Sequence, residues 1–328
     1  MIRFYHEAGE MTPPYLVRLS IIGFMNTSLH PLAGVYAAAV TPLRADGAPD
    51  HDGVLRLLDF LARRGCHGAL LFGTTGEGPS FSLEERLGVM RAALAIRQDH
   101  PNFRLFVGAG TPSLTETVNI TRTAFALGYD ATVILPPYYY RKVNDEGLFA
   151  WFSEVIHKAA PADGTVLGYH IPPVTGIPFS LDLLERLKYT FPRQFAGIKD
   201  SSAEPEHARR LGERFGAELL VFNGSDRLLT LALQSHAAGC ITALANVCSP
   251  DLRLVWEAYF RGEIDIRAQS RLNTARDVLE NFPPAPPLLK ALLHHRYGLP
   301  FWPVRAPLCQ VTANLVAHAL AEMEWSGD

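Results

Sequence analysis

Three groups of residues in this 328-residue chain are of types that carry out covalent chemistry when a fold brings them together. The first is a lysine at the end of an apolar run, Phe195-Ala-Gly-Ile-Lys-Asp-Ser201. Such a run reads as a strand of a parallel sheet covered on both faces, where a charge is costly unless it is paired or neutralised. Lys199 is therefore either the cation of a structural ion pair, with Asp200 or another carboxylate, or a nucleophilic amine that forms a Schiff base with a carbonyl substrate. The stretch alone leaves both open, since structural ion pairs also bury lysines.

The second group is Gly73-Thr-Thr-Gly-Glu77. Gly73 and its companion Gly76 allow close backbone approach, and the hydroxyls of Thr74 and Thr75 beside free amides form a pocket for a small anion such as a carboxylate. A plain strand-to-helix turn has the same composition. The stretch lacks the Gly-Lys-Ser/Thr ending of a nucleotide-binding loop. The third group is Tyr169, in Gly168-Tyr-His-Ile-Pro-Pro173. Its phenol can deliver a proton, although a buried tyrosine more often only satisfies a carbonyl. Tyr138, Tyr139 and Tyr140 either join such a site or form an aromatic subunit interface. His170 follows Tyr169 and by strand alternation faces the other way, which makes it structural.

Composition excludes several classes. The formal charge of -3 arises from 30 basic and 33 acidic residues without a long block of either sign, so neither nucleic acid nor an anionic membrane is an expected partner. Cys66, Cys240, Cys248 and Cys309 form no CxxC pair and no Cys/His cluster at zinc spacing. The histidines show no HExxH spacing, so no metal is expected. Reduced thiols fit a cytoplasmic protein. Residues 1–31 read as an N-terminal extension. Their apolar run 21–25 is too short to span a bilayer, while a weak export signal and a start codon placed too early both stay open.

The elements that must position these residues alternate along the chain. Strand-like runs at 34–40, 68–72, 104–108, 131–135, 166–171, the stretch carrying Lys199, 219–222 and 241–245 are separated by helical patterns. Those helices are expected from Val54 to Gly65 and over 83–98, 114–127, 146–158, 181–189, 228–238 and 251–260, with Ser82 and Glu85 as a capping box. Eight β-then-α units at this length predict an α/β fold of the (β/α)8 TIM-barrel type over residues 32–263, rather than an open sheet. Helical patterns at 268–279, 288–295 and 311–323 predict a C-terminal helical domain, 264–328. In such a barrel the active site lies at the carboxyl ends of the strands. Lys199, the Gly73–Glu77 loop, the three tyrosines and Tyr169 all fall on that rim.

Together these residues resemble the dihydrodipicolinate synthase / N-acetylneuraminate lyase family. The resemblance rests on Gly73-Thr-Thr-Gly-Glu77, Pro137-Tyr-Tyr139, Tyr169 ahead of Pro172 and Thr175-Gly176, Gly197-Ile-Lys-Asp-Ser201, Gly224-Ser-Asp226 and Ala245-Asn246, in that order. It implies class I aldolase or lyase chemistry on pyruvate or another 2-oxo acid plus an aldehyde, with no cofactor, usually in a homotetramer. By position it implies that Lys199 is the Schiff-base lysine and Tyr169 the general acid/base. Thr74 and Thr75 hold the carboxylate and pass protons, and Tyr139 reaches a neighbouring subunit's site. Gly73, Ser201, Gly224 and Asp226 join the substrate-binding set, together with Val174.

Two departures bear on the substrate. Val174 stands where the synthases of the family carry an arginine for the aldehyde partner's carboxylate, and an apolar side chain cannot replace that clamp. Arg227 stands where the sialic acid lyases carry a glutamate for sugar hydroxyls. The resemblance then implies a 2-keto-3-deoxy sugar acid or a related 2-oxo acid as substrate. Its alternatives are dihydrodipicolinate synthesis from pyruvate and aspartate semialdehyde, and a non-catalytic 2-oxo acid binder in which Lys199 is only an ion-pair partner.

Overall fold

The computed structural model describes residues 29–323 and 325, so the expected extension 1–31 falls outside the described residues except for its last three. The chain alternates β1 (Gly34–Ala38), α1 (His51–Arg63), β2 (Gly68–Leu71), α2 (Leu83–Ala93), α3 (Ile96–Asp99), β3 (Arg104–Gly108), α4 (Leu114–Ala126) and β4 (Ala131–Ile134). It continues through α5 (Asp145–Ala159), β5 (Val166–His170), α6 (Pro172–Thr175), α7 (Leu181–Thr190), β6 (Phe195–Asp200), α8 (Pro205–Phe215), β7 (Leu220–Asn223), α9 (Leu229–Gln234) and β8 (Gly239–Thr242). Four helices follow: α10 (Ala245–Phe260), α11 (Ile266–Asn281), α12 (Ala285–Tyr297) and α13 (Ala313–Glu322).

The eight strands pair in parallel and in sequence order, and β8 returns to β1, which closes a (β/α)8 TIM barrel. Alternation along each strand sorts side chains into two layers. Tyr36, Leu70, Phe106, Leu167, Phe222 and Ile241 fill the barrel interior, while Val35, Leu105, Ile198 and Val221 face the surrounding helices. Inside, the ring of Tyr36 stacks on Phe106 at 4.4 Å and meets Phe222 edge-on at 5.5 Å. The helices present the complementary face: on α1, Val54, Leu57, Leu58 and Leu61 are buried at helical spacing, and Asp50 caps its first turn. Asn246 ties the barrel seam. Its amide donates to the Ala38 carbonyl at 2.8 Å, and its oxygen accepts from the Val40 N–H at 3.1 Å.

Several expected elements differ. The helix expected over 83–98 breaks after Ala93, where the N–H groups of Leu94 and Ala95 turn to carbonyls three residues back. The strand expected at 241–245 lies at Gly239–Thr242, and Ala245 instead opens α10. That helix runs through Pro250 with a kink at Cys248, because proline removes a backbone donor and crowds the turn before it. The helix expected at 228–238 shortens to α9. Helix α8, with Pro205 in its first turn and Ala208, Leu211 and Phe215 buried, was not expected at all. Helices α11 and α12 pack on α10. Among the described residues no helix is long and apolar enough to cross a membrane.

Phe106 is fully buried, stacked on Tyr36 at 4.4 Å and 5.9 Å from Phe222. Phe106→Ala is expected to lose about 3–5 kcal/mol of stability in chemical denaturation. A loss under about 1 kcal/mol would show that this aromatic layer is not what fills the barrel.

Candidate active site

Strand register brings the candidate groups together. Tyr169 of β5 and Lys199 of β6 are registered partners and both point into the barrel, whereas His170 and Asp200, the next pair, point outward. Lys199 is buried, with 3% of its surface exposed. Its Nζ donates to the Tyr169 hydroxyl at 3.0 Å and lies 4.1 Å from the centre of that ring. Among the described residues no carboxylate lies within ion-pair distance of it. Asp200, the partner that an ion-pair reading offered, accepts from the Ser202 N–H at 3.0 Å on the other side of the sheet.

Beyond Lys199, the Tyr169 hydroxyl meets Thr74 Oγ1 at 3.4 Å, and the Ser201 side chain is a further polar neighbour. Burial pushes this phenol up, but the Lys199 charge and the hydrogen bonds from Thr74, Lys199 and Ser201 outweigh it, so the group sits below the ordinary phenol range. Gly224 explains how Ser201 gets there. A Cβ at that position would stand 1.9 Å from Ser201 Oγ.

The Gly73–Glu77 loop is a tight turn after β2. The Glu77 N–H donates to the Thr74 carbonyl at 3.1 Å and the Gly78 N–H to the Gly73 carbonyl at 3.1 Å, with Glu77 itself in the left-handed region at φ 55°. Close approach is needed at Gly76, where a Cβ would meet the Ala39 carbonyl at 2.8 Å, and at Gly78, where it would meet the Phe72 carbonyl at 2.1 Å. At Gly73 it would touch only the Leu70 side chain, at 3.3 Å, so the close approach expected there belongs to Gly76 and Gly78 instead. Thr75 is buried in the same turn, and among the described residues its hydroxyl has no protein partner.

The other expected site residues lie elsewhere on the rim. Asp226 is fully buried, and its carboxylate pairs with Arg276 of α11 while Oδ1 has no partner. Arg227 also turns to α11, to Asp277 at 2.5 Å and Glu280 at 2.7 Å. Val174 is 55% exposed on α6. Beside it, Arg141 packs its aliphatic chain over Gly176, with Cδ 3.1 Å from where a Cβ would stand. Tyr139 and Tyr140 are exposed and meet each other edge-on at 5.3 Å, while Tyr138 is half-buried near Arg86.

Behind Lys199 and Tyr169, ligand atoms of His170, Asp200 and His207 lie within 4.8 Å of one another. The two imidazoles stack at 4.4 Å with planes 13° apart. Nitrogen lone pairs lie in the ring planes, and two nearly parallel planes do not direct them at one ion about 2 Å from each. His170 is held neutral, its pKa pushed down to about 3 by burial and the His207 charge, and its Nδ1 accepts from the Phe179 N–H at 3.0 Å. The structural role expected of His170 fits this arrangement.

The lowered phenol gives a pH prediction. A group whose pKa falls ionises earlier as pH rises, so tyrosinate absorbance in the wild type is expected to include one tyrosine titrating below the ordinary range of about 10. This early step is expected to vanish in Tyr169→Phe and to move to higher pH in Ser201→Ala. An early step that persists in Tyr169→Phe would assign it to another residue.

Comparison with known proteins agrees with this geometry. Residues 31–322 match the dihydrodipicolinate synthetase family. The chain is 38% identical over 292 residues to an uncharacterized DapA-like lyase of Chloroflexus aurantiacus, covering 89% of this chain and 96% of that protein. It is 29% identical to the 4-hydroxy-tetrahydrodipicolinate synthase of Moorella thermoacetica, covering 88% and 97%. Among solved structures, the dihydrodipicolinate synthase of Agrobacterium tumefaciens superposes with a TM-score of 0.79 at 29% identity, over 88% of this chain and 97% of that one. A closed eight-stranded barrel with a lysine and a tyrosine in contact at its mouth, and a match spanning nearly the whole chain, lead to one conclusion: the protein belongs to the dihydrodipicolinate synthetase family of Schiff-base lyases.

Proposed function

We propose that the protein is a pyruvate-dependent class I aldolase or lyase working through Lys199, with a 2-keto-3-deoxy sugar acid or a related 2-oxo acid as substrate. The observation that carries this reading is the buried Lys199 amine, hydrogen-bonded to Tyr169 at 3.0 Å and lacking a carboxylate partner among the described residues. A lysine kept for structure would have an anion beside it. In the reaction, the Lys199 ammonium passes a proton to the Tyr169 phenolate and attacks the 2-oxo carbon as the amine, and the carbinolamine takes that proton back on its hydroxyl and loses water to give an iminium. Its positive nitrogen then draws electrons from the neighbouring carbon, so a bond one carbon further along breaks to an enamine and releases an aldehyde, or forms in reverse.

Tyr169 is suited to the proton transfers these steps require, since it touches both the amine and Thr74 and its phenolate is favoured by the Lys199 charge. The Thr74–Thr75 turn is the carboxylate pocket, with the free Thr75 hydroxyl as donor. Ser201, held in place by the space at Gly224, supports the tyrosine. Gly73 opens the turn and Asp226 shapes the rim from its ion pair with Arg276. Tyr139, exposed on one chain, serves a neighbouring subunit's site in a homotetramer, and the protein acts in the cytoplasm.

The apolar, exposed Val174 favours a partner without a carboxylate at that point. A second reading, condensation of pyruvate with aspartate semialdehyde, is supported by the relatives of that activity and by Arg141, a cation one turn away from Val174 over Gly176. The two separate by assay. Borohydride with pyruvate is expected to leave an adduct on the Lys199 peptide in mass spectrometry, with none in Lys199→Ala. Pyruvate with a small hydroxy-aldehyde is expected to give product, whereas aspartate semialdehyde is not. Absence of any adduct would overturn the Schiff-base reading in favour of a non-catalytic binder, and efficient turnover of the semialdehyde would overturn the substrate assignment.

A further inference from the structure

The Glu77 side chain leaves the Thr74–Thr75 turn in the direction away from the reacting groups. It enters a closed space between the barrel and the C-terminal helices, where it meets Lys290 of α12. Both side chains are shut off from solvent, at 0% and 1% exposure, with Nζ and Oε1 2.5 Å apart. Lys290 Nζ also donates to the Pro303 carbonyl at 2.7 Å, and the other Glu77 oxygen accepts from the Arg305 N–H at 3.1 Å. The Arg305 guanidinium then reaches the carbonyls of Gly47 at 2.9 Å and Ser80 at 2.8 Å. From the opposite side the Thr41 hydroxyl donates to the Gly76 carbonyl at 2.6 Å.

We propose that Lys290 is a positioning residue for the 2-oxo acid site, acting through Glu77 to fix the Thr74–Thr75 turn against Tyr169. A fully buried ion pair adds little net stability compared with apolar side chains of the same volume, because desolvation offsets the attraction. What it supplies is direction. Oppositely charged groups with two further hydrogen bonds tolerate one arrangement, and that arrangement sets the end of a turn whose start is fixed by β2. The Thr74 hydroxyl sits three residues from Glu77 and 3.4 Å from the Tyr169 oxygen, so a small displacement of the turn breaks the relay and misplaces the pocket for the substrate carboxylate. Lys290 touches neither substrate nor reacting atoms; it acts on both threonines at once.

This inference rests on the Schiff-base reading above, and one experiment separates the two. The rate of borohydride-trapped adduct formation is measured against pyruvate concentration for the full chain and for Lys290→Met, with Leu293→Ala as the control. Leu293 is fully buried on the same helix, so its truncation weakens the packing of α12 without touching the pair. Lys290→Met is expected to trap about 10- to 100-fold more slowly and to need more pyruvate for half-saturation, as a misplaced site does. Leu293→Ala is expected to melt at lower temperature yet trap like the wild type.

If Lys290→Met does not fold, Glu77→Gln/Lys290→Met, which leaves no unpaired buried charge, takes its place with the same expectation. A folded variant lacking the pair that traps at the wild-type rate overturns the proposal, as does Leu293→Ala slowing trapping equally. A wild type that yields no adduct overturns the Schiff-base reading itself and this inference with it.

Discussion

The contact between the Lys199 amine and the Tyr169 hydroxyl is the interaction on which the rest of the site depends. It exists because β5 and β6 are parallel neighbours in a closed barrel and because the register sets residue 169 opposite residue 199. A slip of β6 by one residue would turn Lys199 out among the helices and bring Asp200 inside. The barrel interior below is filled by aromatic and branched side chains, so the amine and phenol stand on an apolar floor. In that setting the lysine charge favours the phenolate and the phenol orients the amine, and among the described residues no third ion pairs with the amine.

The C-terminal helices contribute to the same rim from outside the barrel. Helix α12 holds the β2 turn through Lys290 and Glu77, and α11 holds the β7 turn through Arg276 and Asp226, with Gln269 donating to the Asp226 carbonyl at 3.0 Å. Two loops on different sides of the mouth are thus anchored to one helical layer. Asp226, expected in the substrate-binding set, pairs with Arg276, and Arg227, which stands where the sialic acid lyases carry a glutamate, pairs with Asp277 and Glu280. Arg141 and Val174 stand on the β4 and β5 loops of the same mouth.

Much of the barrel and the placement of Lys199 and Tyr169 at its mouth was legible in the sequence because both follow from local patterns. Short apolar runs closed by glycine or proline marked the strands, alternation put Tyr169 and His170 on opposite faces, and the rim rule gathered Lys199 and Thr74 at one mouth. Elements whose cause is tertiary were not legible. Glu77 and Lys290 are 213 residues apart, and nothing in either neighbourhood marks them as a pair. The helix expected at 251–260 begins six residues earlier, at Ala245, and passes Pro250 through the kink at Cys248, which no local pattern marks. Helix α8 did carry a signal, Pro205 followed by buried positions at helical spacing, but its strongly polar outer face hid it. The need for glycine at Gly78 arises only because the Phe72 carbonyl passes beneath it.

In the proposed reaction the Lys199 amine and the Thr74–Thr75 turn bind one 2-oxo acid between them, covalently at one end and by its carboxylate at the other. A crystal structure of the protein soaked with pyruvate tests both halves at once. Continuous electron density is expected from Lys199 Nζ to the carbonyl carbon of pyruvate, with the carboxylate on the Thr74–Thr75 turn and the Tyr169 hydroxyl beside the new bond. Pyruvate bound without that bond, or with its carboxylate away from the turn, would contradict it.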